Sequence, residues 1–127
     1  MIKQRIHGRT KELSIDELRA KFASPQLSYI QTALLFGSRA VGNAHPQSDY
    51  DIAVRLDPDY PAPWGVLAQA WVDIGRVLDL ADYDYDVIDL DHASDLIHES
   101  IEEGFILLKG SVDELHQLST TEPKNSQ

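Results

Sequence analysis

Residues 33–51 read ALLFGSRAVGNAHPQSDYD. The apolar run Ala33 to Phe36 halts at Gly37, which predicts a short buried strand ending in a turn. Gly42, Asn43 and Pro46 make the stretch to Ser48 loop-like, with room for one short helical turn after Ser38. A second strand is predicted from Asp49 to Leu56. Its alternation sets Tyr50, Ile52 and Val54 on one face and Asp49, Asp51 and Ala53 on the other. A ten-residue return between two short strands is most easily antiparallel, so the end of the first strand meets the start of the second.

Each part of this segment has a chemical reason. Gly37 lets the backbone turn sharply and admits a ligand close to the main chain. Ser38 sets a hydroxyl at a helix start, where it caps and offers a phosphate site. Asp49 and Asp51, two apart on a strand, project from one face, and paired oxygen ligands of that kind hold Mg²⁺, which in turn binds phosphate oxygens. Gly-Ser-x10-Asp-x-Asp is expected by chance about once in two hundred chains of this composition. Arg39 is a candidate for phosphate contact or for a surface ion pair.

Working outward, Ser14-Ile15-Asp16-Glu17 is a capping box that opens a helix through Phe22. Pro61 and Pro63 suit a helix start. Trp64, Leu67, Trp71, Ile74 and Leu78 recur at helical spacing to about Leu80, so both tryptophans read as core. Gly65 and Gly75 cost helix propensity, and close packing would explain them. Tyr85 to Leu90 is a third strand. Ser94 caps a helix with Leu96, Ile97, Ser100 and Ile101 facing inward, and Gly104 ends it. Phe105 to Lys109 is a fourth strand, and a second capping box at Ser111 opens a helix to about Leu118. The expected fold class is α/β of α+β-like character: a mixed four-stranded sheet with helices packed mainly on one side. One domain spans 1–119, with a frayed tail at 120–127.

A third strand entered by the 61–80 crossover runs parallel to the second, so its first residues reach the same rim. Asp86 is the best third carboxylate there, with Asp84 and Asp89 as alternatives. Two carboxylates that hold metal and a third that accepts a hydroxyl proton describe a phosphoryl or nucleotidyl transfer site. An EF-hand over Asp82, Asp84 and Asp86 fails, because Val87 stands where glycine is needed and Ala93 where glutamate is. The five histidines show no ligand spacing with one another.

The 127 residues, 43% hydrophobic and 25% charged, suit one globular domain. No cysteine is present, which excludes a disulfide scaffold, a zinc ribbon and a thiol catalyst. That fits a cytoplasmic protein. The longest apolar run is four residues, too short for a membrane span. The net charge is −10, and residues 73–103 hold eleven acids against Arg76. Such a surface disfavours direct tight nucleic-acid binding and suits a divalent cation or a basic protein partner.

The segment LLFGSRAVGNAHPQSDYDIAV resembles the signature of the minimal nucleotidyltransferases of the polymerase-β-like superfamily. The resemblance extends to YDVIDL and to IHESIEEGFILLKG, over roughly residues 30–110. It implies a polymerase-β-type nucleotidyltransferase fold and Mg²⁺-dependent transfer of AMP from ATP with release of pyrophosphate. It implies triphosphate binding at Gly37 and Ser38, metal binding at Asp49 and Asp51, and Asp86 as the third acid. Small stand-alone members are antitoxins paired with a HEPN-domain ribonuclease toxin, which they neutralise by adenylylating a tyrosine. Two rivals remain at this stage: an antitoxin acting by steric masking, and a transferase with a small acceptor such as an aminoglycoside.

Overall fold

The computed structural model describes residues 10–111. The capping box forms as expected: the Glu17 N–H donates to the Ser14 hydroxyl at 3.0 Å, and the Ser14 N–H donates to the Glu17 carboxylate at 2.8 Å. It opens helix α1, Ile15–Phe22. A 3-10 turn at Pro25–Leu27 leads into strand β1, Ile30–Phe36. The single-turn helix α2 is Ser38–Val41, and strand β2 is Tyr50–Leu56. Helix α3 is Val66–Leu78, strand β3 Tyr85–Asp89, helix α4 Asp95–Glu103 and strand β4 Phe105–Lys109. The helix expected at 111–118 and the tail at 120–127 lie outside the described residues.

The sheet order is β3-β2-β1-β4. β1 pairs antiparallel with both β2 and β4, while β2 and β3 run parallel. Both of its faces are covered. Leu35, Tyr50, Ile52, Val54 and Val87 pack with Leu18 and Phe22 of α1 and with Ala70, Ile74 and Leu78 of α3. Leu34, Phe36, Ala53 and Leu90 form a smaller core on the other face, against half-buried Ile97 and Ile101 of α4. The two helices on the first face and the one on the second agree with helices packed mainly on one side.

Four local readings are corrected. β1 starts at Ile30, before the apolar run. Ile30 pairs with Leu56 but Thr32 with Arg55, so β1 carries one extra residue. Such a bulge reverses side-chain parity, which lets Ile30, Ala33 and Leu35 all enter the same core. α3 starts at Val66 rather than at the prolines, because Gly65 is its N-cap at φ 96°. Trp64 therefore falls before the periodic face and is 91% exposed rather than core. Trp71 does pack against the core, 5.8 Å from the Tyr85 ring. Leu96, read as inward-facing, is 75% exposed.

Gly75 bears out the close-packing reading, whereas Gly65 does not, since a Cβ there would meet nothing within 4 Å. A Cβ at Gly75 would meet the Tyr85 hydroxyl and come within 2.7 Å of Cζ. That hydroxyl donates to the Trp71 carbonyl at 2.8 Å. No helix among the described residues is long and apolar enough to cross a membrane.

Candidate active site

The β1–β2 hairpin brings the end of one strand to the head of the next, with Phe36 opposite Asp51. Gly37 follows at φ 76°, a conformation that L side chains rarely adopt. Its missing side chain has a second consequence. A Cβ at Gly37 would collide with the Asp51 carboxylate and lie 3.2 Å from its Cγ. The glycine thus lets Asp51 rest directly on the turn.

Gly37, not Ser38, is the N-cap of α2, and no side chain caps this helix. The capping role expected of Ser38 is corrected accordingly. Ser38 is the first helical residue, and its carbonyl accepts from the Asn43 N–H at 3.0 Å, which folds the chain back after Gly42.

The parallel pairing sets Asp86 beside Asp51. Parallel neighbours in register share a face, so both carboxylates project from the same side of the sheet. Asp49 lies one residue before β2 rather than within it, and is exposed. Asp51 is pushed up to about 6, first by burial, then by the negative charges of Asp86 and Asp49. Like charges held together in a half-buried site disfavour ionisation in this way.

The other two carboxylates considered for the third position are engaged elsewhere. Asp84 belongs to a 3-10 turn, not to the strand, and is 3% exposed, where it accepts from the Thr10 hydroxyl at 3.4 Å. Asp89 accepts from the Asp91 N–H at 3.0 Å and pairs with His92 at 2.9 Å.

Arg39 is held by three neighbours. Its Nε donates to the Ser48 carbonyl at 2.9 Å, Nη1 donates to Glu12 at 3.2 Å, and the guanidinium lies 4.2 Å from the Tyr50 ring centroid. Tyr50 points into the main core, opposite in parity to Asp51. These contacts tie the 39–50 loop to residues 10–13, a relation that sequence reading missed. The inward parity of Tyr50 was legible, but its partners lie almost forty positions earlier in the chain.

Among the described residues, no three His, Asp or Glu side chains form a ready-made metal cage. Mg²⁺ does not require one. It is commonly held by one or two carboxylates together with substrate phosphates and water. The donor set of hard, mutually repelling oxygens fits that ion.

Residues 20–113 match the family model described as polymerase beta, nucleotidyltransferase. The chain is 30% identical over 112 residues to the protein adenylyltransferase MntA of Aphanizomenon flos-aquae (strain 2012/KM1/D3), covering 78% of this chain and 74% of that protein. Among solved structures, a toxin–antitoxin complex with AMP-PNP superposes with a TM-score of 0.62 at 24% identity, covering 86% of this chain and 83% of the other. A tri-AMPylated Shewanella oneidensis HEPN toxin in complex with its MNT antitoxin gives 0.57 at 21% identity, covering 85% and 82%. At those identities the two structures speak for the fold.

Proposed function

The chain belongs to the polymerase beta nucleotidyltransferase family, and on that footing we propose that it is a protein adenylyltransferase antitoxin. Its reaction moves AMP from ATP to a tyrosine hydroxyl of a HEPN-domain ribonuclease partner in the cytoplasm and so silences that partner. The observation that carries this reading is the meeting of Gly37, Asp51 and Asp86 at one rim of the sheet. It is supported by the named activity of the relative from Aphanizomenon flos-aquae and by the AMPylated HEPN toxin seen with a similarly folded chain.

The roles follow from position. The Gly37-Ser38 turn takes the triphosphate beside the Asp51 carboxylate that rests on it. Asp49, Asp51 and Asp86 hold Mg²⁺. When bound, that ion neutralises phosphate charge and makes the acceptor hydroxyl more acidic. Asp86 accepts the proton as the tyrosine oxygen attacks the α-phosphorus in line. The new O–P ester forms, the α–β anhydride breaks, and pyrophosphate leaves. The acceptor arrives on another protein, a reading supported by the AMPylated HEPN toxin seen with a similarly folded chain. The charge of −10 disfavours nucleic acid as that acceptor and suits a basic ribonuclease.

The test is incubation of the complex with labelled ATP and Mg²⁺, followed by mass spectrometry of the partner. Increments of AMP mass on a partner tyrosine, abolished by Asp49→Asn with Asp51→Asn, are expected. Neutralisation that persists in that double variant without any label would replace this reading with steric masking. Antibiotic resistance conferred by the chain alone would replace it with a small acceptor.

A further inference from the structure

Arg39 follows Ser38 directly, and its guanidinium contacts Glu12, Ser48 and Tyr50. The side chain is only 7% exposed, and Nη2 is buried without a hydrogen-bond partner among the described residues. A group held so tightly is poorly placed to meet a triphosphate. What it does touch is specific. It donates to the carbonyl of Ser48, the residue before Asp49, and covers the ring of Tyr50, the residue after it.

Tyr50 is itself pinned at its far end. The Leu13 N–H donates to its hydroxyl at 2.8 Å, and the hydroxyl donates to the Lys11 carbonyl at 2.7 Å. The Thr10 N–H donates to the Pro46 carbonyl at 2.7 Å, and Glu12 closes the set on Nη1 of Arg39. The loop has its own lock as well, since the His45 N–H donates to the Ser48 hydroxyl and the Ser48 N–H to the His45 carbonyl, each at 2.9 Å. Residues 10–13 therefore form a strap, and Arg39 is the pin that joins strap to loop.

We propose that Arg39 is a positioning residue: clamped between Glu12, Ser48 and Tyr50, it fixes the 48–51 segment so that Asp49 and Asp51 hold their places, without itself touching nucleotide. Its catalytic consequence rests on the transferase reading above, whereas its mechanical consequence does not. A lysine keeps the charge but loses the planar fork and the flat face that stacks on a ring. Phenylalanine at position 50 keeps the ring but loses both ties to the strap.

The experiment uses the full chain and two variants, Arg39→Lys and Tyr50→Phe. Hydrogen exchange is followed by mass spectrometry on peptides covering 44–51. Affinity for a non-hydrolysable ATP analogue with Mg²⁺ is read by calorimetry, and kcat and KM for ATP are measured with the partner present. Arg39→Lys is expected to speed exchange at 48–51 at least tenfold while α1 and β4 keep their protection. It should lower kcat roughly 10- to 100-fold and weaken Mg²⁺-analogue affinity several-fold, together with the faster exchange, because the loosened segment carries Asp49 and Asp51. Tyr50→Phe should show the same pattern more weakly, and it carries the test if the lysine variant does not fold. Unchanged loop exchange, or a tenfold loss of analogue affinity with exchange unchanged, would overturn the proposal. A wild-type chain that transfers no AMP would instead defeat the transferase reading, and the exchange comparison would still decide the role of Arg39.

Discussion

At the scale of single residues, a carboxylate occupies the place that a side chain at position 37 would take. Gly37 carries both a positive φ and the Asp51 side chain where its Cβ would be. Alanine at position 37 should cost about 2–3 kcal/mol, the sum of a left-handed penalty and a steric one. In an Asp51→Ala background the steric part disappears, so the cost should fall by about half in urea unfolding. An unchanged cost would mean that backbone strain acts alone. Asp51 also predicts a pH effect in the metal-free protein. Its carboxyl is raised from 3.8 to about 6, so the ionised form is the destabilised one in the fold. Stability from this group is fully present below about pH 4 and is lost as pH climbs through 6. Asp51→Asn should therefore be more stable than wild type at pH 7.5, by on the order of 1 kcal/mol after allowance for solvent screening. The gain should vanish near pH 4. Urea midpoints in EDTA read both, and an equal gain at the two pH values would contradict the cause given.

At the scale of elements, α3 and β3 are fitted to each other through Gly75. Helix propensity alone says that Gly75→Ala gains about 1 kcal/mol. The Tyr85 ring beneath it says the opposite, and a net loss of about 2 kcal/mol is expected because the phenol must leave its bond to the Trp71 carbonyl. A higher thermal midpoint for the variant would refute this packing. The same elements show which parts of the fold were legible in sequence. Capping at Ser14 and Ser94 was readable because it is decided within four residues. The antiparallel hairpin and the parallel third strand were readable from connection length. The start of β1 was hidden, since a bulge breaks the period-two pattern on which strand reading depends. The start of α3 was hidden too. Gly65 resets the helix one residue after Trp64, and spacing by threes and fours cannot detect a positive φ. At the site, the preference for Asp86 over Asp89 was legible from strand parity, while the register that sets Asp86 beside Asp51 and the strap at 10–13 were not, because register and long-range side-chain ties leave no local periodicity.

At the scale of the whole molecule, one small sheet with both faces covered leaves its chemistry at a rim. The order β3-β2-β1-β4 sets the two acid-bearing strands side by side and the glycine turn next to them. Acids crowd the chain from 73 to 103, and the net charge is −10. That field opposes nucleic acid and favours a cation or a basic protein, with attraction to such a partner weakening as salt is added. The central claim is that this rim grips magnesium nucleotide through its carboxylates. Calorimetric titration of a non-hydrolysable ATP analogue with Mg²⁺ into the wild-type complex and into Asp49→Asn/Asp51→Asn tests it most directly. Saturable, Mg²⁺-dependent heat in the wild type, lost in the double variant, is the predicted result. Equal affinity in both proteins, or no heat in the wild type, would contradict it.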